Sequence, residues 1–274
     1  MRSLTMLLDS YFLPLETGYR VLIIVLFLAL MAVFAKARRL LTWSGTAAAC
    51  VLGFIVFYLG GVSGIVLFLF FFLTCSMLSK LTGDVPRVGK KGGERDWAQV
   101  VANGLPAAFA LILAELSPYP QSAYIAFAAA LAEAEADCFA GGVGILSRSD
   151  PVSVVTFTKV PRGISGGVTA LGLASSVLAS FLLALVFAGT YGCDVPELLT
   201  ITACGFLGAL FDSFLGATVQ VQYRGKDGAL TEKERDGDGN LNEHVRGLPF
   251  LDNDMVNLLS GLFALFLALA VSQI

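Results

Sequence analysis

Eight apolar stretches, joined by loops that are alternately basic and free of lysine and arginine, leave a chain of this kind little choice of fold. They run from 18 to 35, 43 to 60, 62 to 79, 97 to 116, 121 to 146, 165 to 189, 197 to 221 and 254 to 272. Each is close to the roughly 20 residues a helix needs to cross the hydrocarbon core. A segment in lipid must satisfy its own backbone, which makes each a helix. With 56% hydrophobic and 14% charged residues, the composition lies far from that of soluble domains. The expected fold is an all-α, polytopic integral membrane bundle of about eight transmembrane helices, one domain over residues 1–274. Residues 1–17, broken by Asp9 and Pro14, lack the form of a cleaved signal peptide and read as an interfacial N-terminal segment. Residues 222–253 read as a cytoplasmic loop within the domain.

Sixteen of the eighteen lysines and arginines fall in four alternate loops: Lys36 to Arg39, Lys80 to Arg95, Arg148 to Arg162 and Arg224 to Arg246. The loops between, at Gly60-Gly61, Ser117 to Gln121 and Thr190 to Pro196, carry none. The positive-inside rule places the basic loops in the cytoplasm and both termini outside, the orientation expected in a bacterial inner membrane. Trp43 and Trp97 then mark the inner interface, and Tyr58, Tyr119, Tyr124 and Tyr191 the outer. A net charge of -3 argues against nucleic acid as a partner. The five cysteines are scattered singly, so neither a zinc site nor a disulfide framework is indicated. Nothing here fixes the oligomeric state.

Acidic residues inside a span are costly and call for a function. The fifth stretch carries Glu133, Glu135 and Asp137; the first and last share a face with Gly141 and Gly144, while Glu135 points elsewhere. In the seventh, Gly205, Gly208, Asp212, Gly216 and Gln220 form one stripe. Gln99 and Asn103 in the fourth, and Asn253, Asn257 and Ser260 in the eighth, fall on the same inner side. So does the segment Lys159 to Val168, KVPRGISGGV, whose basic residues and Gly163, Ser165, Gly166 and Gly167 are expected to open the sixth helix with its first amides uncovered, a ready anion site. Asp236, Asp238 and Asn240 resemble the start of a calcium loop, but Leu241 and Gly247 stand where glycine and glutamate are needed, so this reads as a solvated loop. His244 reads as a surface residue.

Two carboxylates beside a phosphate-friendly loop suit Mg²⁺, which is commonly held by one or two carboxylates and the substrate phosphates. Asp137 and Asp212 are the expected ligands, Lys159 and Arg162 the groups that neutralise a transferring phosphoryl, and a lipid headgroup the acceptor. A transporter of a small anionic solute and a non-catalytic prenyl-phosphate-binding protein fit the same residues.

QVVANG (Gln99 to Gly104), AEADCFAGGVG around Asp137, FTKVPRGISGGVTALG (Phe157 to Gly172), GALFDSFLGATVQ (Gly208 to Gln220) and RGLPFLDNDMVNLLS (Arg246 to Ser260) together resemble the membrane family of transmembrane protein 19 and the plant phytyl-phosphate kinase, also called domain of unknown function 92. The resemblance implies a kinase that uses CTP or ATP to phosphorylate an isoprenoid monophosphate. It implies a site of Asn103, Asp137, Lys159, Arg162, Gly163, Gly166, Gly167, Asp212, Ser213, Asp252, Asn253, Asp254 and Asn257, with Asp254 among the metal ligands. Where the family commonly reads Thr-x-x-Ser-Glu-x-Gly after the aspartate, Cys138, Gly141 and Gly142 replace the Thr, Ser and Glu. Glu133, one turn before Asp137, is the acid placed to stand in for the missing carboxylate.

Overall fold

Helices occupy all eight apolar stretches in the computed structural model, which describes residues 3–82, 93–118, 120–226 and 228–272. They are α2 (Thr17–Ala37), α3 (Trp43–Leu81), α4 (Trp97–Leu116), α5 (Pro120–Gly144), α6 (Ala170–Thr190), α7 (Val195–Thr218) and α8 (Asn253–Val271), preceded by a short α1 (Leu4–Phe12). Arg87, Lys90 and Lys91 of the second basic loop, Tyr119 of the aromatic belt and Asp227 lie outside the described residues.

Helix α3 contains two of the stretches, because it turns back on itself. Gly61 has φ +66° and ψ −159°, a conformation open to glycine and outside the helical range. A Cβ on Gly104 would lie 2.8 Å from Leu52 and 3.3 Å from Phe68. Sixteen residues of straight helix would hold those two about 24 Å apart. Lys80 Nζ, near the end of α3, donates to the carbonyl of Arg38, just before its start, at 2.7 Å. The two legs are therefore separate crossings. Among the described residues six helices are long and apolar enough to span a membrane. Counting α3 twice and adding the 25-residue, acid-bearing α5 gives eight crossings.

The reversal at Gly61 leaves the first amides of the second leg without helical partners, and α1 supplies what is missing. Asp9 Oδ1 accepts from Val62 N at 2.5 Å, and Oδ2 from Ser63 N at 3.1 Å and Ser63 Oγ at 2.6 Å. On the other leg Arg20 donates to the Tyr58 carbonyl at 2.5 Å and stacks on the Tyr58 ring at 4.3 Å. The N-terminal segment is thus a plug with an exposed apolar flank of Leu4, Leu8 and Tyr11, in keeping with an interfacial position.

Ser3 Oγ donates to the Thr190 carbonyl at 3.2 Å, and Ser122 Oγ to the Ser272 carbonyl at 3.4 Å. Both ends of the described chain therefore sit with the loops that lack basic residues, as an even number of crossings requires.

Helix α5 is the axis of the bundle, packed against α3, α4, α6, α7 and α8. Its middle, Ile125 to Ala132, has alanine at five of eight positions and is buried on every side, as an all-round apolar helix must be. Small side chains let the neighbours close in. A Cβ on Gly205 of α7 would come 2.6 Å from that of Ala132, and one on Gly208 would come 2.5 Å from Glu133 Cγ.

The loops at the basic end carry strands as well as turns. β1 (Val152–Ser153) pairs antiparallel with β2 (Gly167–Val168), and β3 (Gln222–Arg224) lies between β4 (Leu230–Thr231) and β5 (Glu243–Arg246). Arg246 ties this sheet to the end of α7, donating to the carbonyls of Gly216 at 3.0 Å and Ala217 at 2.5 Å. A cation at a helix C-terminus satisfies orphan carbonyls and complements the dipole. Asp236 Oδ1 accepts from the amides of Asp238 and Asn240, and Lys226 lies 3.1 Å from its other oxygen. Those bonds hold its carboxyl down at about 2, the Asn240 amide contributing most. The acidic turn is an ordered, lysine-paired hairpin tip. His244 is exposed, its ring donating through Nε2 to the Gly247 carbonyl at 3.0 Å and packing edge-on against Tyr223.

Candidate functional site

At the basic end, α5, α6, α7 and the start of α8 part around a solvent-open cleft of about 990 Å³, its mouth included. Asp137 enters it from α5, Asp212 and Ser213 from α7, Asn253 from α8, and Gly163, Ser165, Gly166 and Gly167 from the loop before α6. The floor is Ala140, Gly141, Gly144, Gly172 and Ala209, whose small side chains create the space.

The glycine-rich segment does not open α6 as expected. That helix begins at Ala170, where Thr169 is the N-cap and its Oγ1 accepts from Gly172 N at 3.0 Å. Gly167 and Val168 pair with β1, and Gly163 and Gly166 both have φ +83°. The segment is instead a turn laid across the end of α7. A Cβ on Gly166 would fall 2.4 Å from Ala217 N, and one on Gly216 3.0 Å from Gly166 N, so glycine at both positions lets two backbones touch. Ser165 in this turn donates to Glu232, and Gln220 Nε2 donates to Ser165 Oγ at 3.1 Å. Glu232 follows β4 and also lines the cleft, so the turn after that strand forms part of its wall. Burial draws the Arg246 guanidinium below its usual value, with the Glu232 charge acting in the opposite sense.

Below the cleft a polar chain descends between α5, α7 and α8. The Asn257 amide, oriented by its hydrogen bonds, donates to Asp212 Oδ2 at 3.0 Å and to the Asn253 carbonyl at 3.2 Å. Ser260 Oγ reaches the same Asp212 oxygen at 3.3 Å and is within reach of Glu133 as well. Glu133 is only 2% exposed, enclosed by Gly208 and Gly261. It supports the cleft from beneath and is not part of its lining.

Other expected members lie apart. Lys159 has a side chain 78% exposed and pairs with Asp150 at 3.1 Å, outside the cleft lining. Arg162 does reach the rim, but its guanidinium donates to the carbonyls of Ser147 at 2.7 Å and Arg148 at 3.2 Å, tying the turn to the end of α5. Asn103 donates to the Gln99 carbonyl at 2.8 Å and faces a different crevice, between α2, α3 and α4. Asp252 is the N-cap of α8, its Oδ1 accepting from Met255 N at 3.0 Å, and Asp254 stands in the first turn.

Glu135 is fully buried on the α3 side, where Thr74 Oγ1 donates to it at 3.1 Å. The lost family carboxylate would sit on that side too: a Cβ on Gly142 would lie 2.6 Å from Leu78 of α3. Position 142 therefore does not address the cleft. Sequence reasoning missed Glu232, which stands in no motif, and although it placed Gln220 on the α7 stripe nothing there signals the bond of either residue to Ser165.

Among the described residues no three His, Cys, Asp or Glu side chains gather to hold an ion by themselves. The expected ligand set of Asp137, Asp212, Glu133 and Asp254 is thus not a preassembled cage. Two carboxylates opening into one cleft still fit Mg²⁺, whose remaining positions are ordinarily filled by water and substrate phosphate.

Fold and site together define a polytopic helical membrane protein with one polar, small-residue cleft at its basic end. The chain belongs to the family described as "Integral membrane protein DUF92", whose profile matches residues 26–265. It is 32% identical to an uncharacterized membrane protein of Methanocaldococcus jannaschii over 74% of this chain and 84% of that one. It is 29% identical to Protein PGR of Arabidopsis thaliana over 91% and 95%. An uncharacterized membrane protein of Synechocystis is 26% identical over 71% and 77%. No solved structure matches.

Proposed function

We propose that the protein is a membrane-embedded phosphotransferase that converts an isoprenoid monophosphate of phytyl or farnesyl type to its diphosphate at the cytoplasmic interface, with Mg²⁺ and CTP or ATP. The observation that carries this reading is the convergence of Asp137 and Asp212, from two different helices, on a cleft edged by the Gly163 to Gly167 turn. Apolar helix walls beside a polar mouth suit an amphiphile whose phosphate stays at the surface.

In the reaction a monophosphate oxygen attacks the terminal phosphorus of the donor, and the bond to the bridging oxygen breaks to release the nucleoside diphosphate. No side-chain nucleophile is needed, so the protein's task is positioning and charge stabilisation. Mg²⁺ held by Asp137 and Asp212 would supply the neutralising charge on the phosphate oxygens. Asn257 and Ser260 fix the Asp212 carboxylate, while Ser213 and Ser165 present hydroxyls to phosphate oxygens. Ser165 must first exchange its bond to Glu232 for one to the ligand. Arg162 positions the turn and adds positive potential at the rim. Transport fits less well, because Ile125 to Ala132 of the axial helix offers no polar step across the other half of the bilayer.

The test is transfer of labelled phosphate from CTP or ATP to phytyl or farnesyl phosphate by purified protein. Asp137→Asn and Asp212→Asn should each reduce turnover more than a hundredfold while expression and thermal stability are kept. Full activity in both variants, or no product with any prenyl phosphate beside an active relative, would refute it.

A further inference from the structure

A second crevice lies within the membrane region between α2, α3 and α4, walled by Phe27, Leu28, Met31, Phe68 and Phe72. Its inner end is polar, formed by Arg95, Gln99 and Asn103. The backbone at Arg95 is pinned on both sides, its amide donating to the Leu40 carbonyl and its carbonyl accepting from Thr42 N, each at 3.0 Å. Gly45 makes that approach possible, since any Cβ there would collide with the Arg95 carbonyl. The acids flanking Arg95 are engaged elsewhere: Glu94 pairs with Lys36 at 3.1 Å, and Asp96 caps α4 by accepting from Gln99 N at 3.1 Å. Among the described residues the Arg95 guanidinium itself has no hydrogen-bond or ion-pair partner, although it is half-buried. A half-buried cation with no partner among the described residues, at the mouth of an apolar slot, is complementary to an anionic headgroup with a hydrocarbon chain.

We infer that this crevice binds a glycerophospholipid of the bilayer with a net negative headgroup, its phosphate on Arg95 and one acyl chain between α2 and the two legs of α3. From Ala35 to Phe27 the slot follows about 12 Å of helix, room for roughly the first ten carbons of a chain. The trapped lipid fastens α2, which packs chiefly against α3. The inference is independent of the phosphotransferase reading, because the crevice shares no residue with the acidic cleft.

Native mass spectrometry of the full-length protein in detergent, titrated with phosphatidylglycerol or phosphatidylcholine, tests it. The wild type should retain one phosphatidylglycerol with at least a tenfold preference over phosphatidylcholine. Arg95→Gln should erase the preference, since a charge-assisted contact is worth about tenfold or more in affinity, and Arg95→Lys should restore part of it. Ala49→Phe, which fills the slot and keeps the charge, should weaken both lipids, and it serves if Arg95→Gln fails to fold. Asp137→Asn should change neither. Equal retention of the two lipids by the wild type, preference intact in Arg95→Gln, tight binding in Ala49→Phe, or displacement of the lipid by equimolar farnesyl phosphate would each overturn the assignment.

Discussion

Removing the Asp9 carboxylate should loosen the outer end of the bundle far more than its place in a short terminal helix suggests. Its two oxygens accept three hydrogen bonds, from Val62 N, Ser63 N and Ser63 Oγ, at the point where Gly61 breaks α3. Loss of an ordinary N-cap costs about 1 kcal/mol. A charged acceptor raises each bond to roughly 1.5–3 kcal/mol, and the abandoned amides cannot all reach water. All three bonds are only part-buried, so water makes good much of their sum, and Asp9→Ala should destabilise by about 3 kcal/mol and Asp9→Asn, which keeps one acceptor, by about 1 kcal/mol. With a shift of roughly 2–4 °C per kcal/mol for a chain of this size, Asp9→Ala should lower Tm by about 6–12 °C. Hydrogen exchange localises the effect: peptides covering residues 60–66 should exchange at least tenfold faster, while those from α5 stay protected. Unchanged exchange across Gly61 in Asp9→Ala would show that the second leg of α3 does not depend on a cap from α1.

At the cleft, Gly166→Ala places a methyl against the Ala217 backbone at a φ of +83°, so it should cost at least 2 kcal/mol and open the turn, read as a lower Tm together with a raised KM for the phosphate substrates. Gly142→Glu, which restores the commoner family residue, should destabilise by 1–3 kcal/mol through Leu78 without improving metal or substrate affinity, because that position faces α3; a gain in Mg²⁺ affinity would contradict it. Asp236, held at about 2, stabilises its turn above the ordinary carboxylate pKa of about 4 and loses that contribution as pH falls toward 2; a carboxyl titration by NMR should show the low midpoint, and Lys226→Ala should raise it.

The crossings were legible because each apolar run matches the membrane thickness and because lysine and arginine alternate between loops, two signals that do not depend on packing. That Asp137 and Asp212 open into one cleft was also legible, since both lie toward the basic ends of their helices, whereas Glu133, one turn deeper on the same face, is buried beneath it. What escaped was everything decided by irregular backbone. Four small residues before α6 look like an open helix start, yet Thr169 is the stronger cap and β1 claims Gly167 and Val168. Asn103 shares its level with the acids, but rotation about α4 turns it toward α2 and α3, and depth alone carries no rotational information. The bonds of Asp9 to Val62 and of Ser165 to Glu232 join residues far apart in sequence with no periodicity to announce them.

The alanine-built axis bears on how anything enters the cleft. Helices that touch through methyl groups and bare backbone cannot slide or tilt without colliding, so the gap between the two aspartates is set once the bundle has assembled. If the cleft takes up the proposed substrate, admission falls to the turns beyond the helix ends, and the rate of entry should follow the breaking of the bond between Ser165 and Glu232 while the scaffold beneath stays rigid.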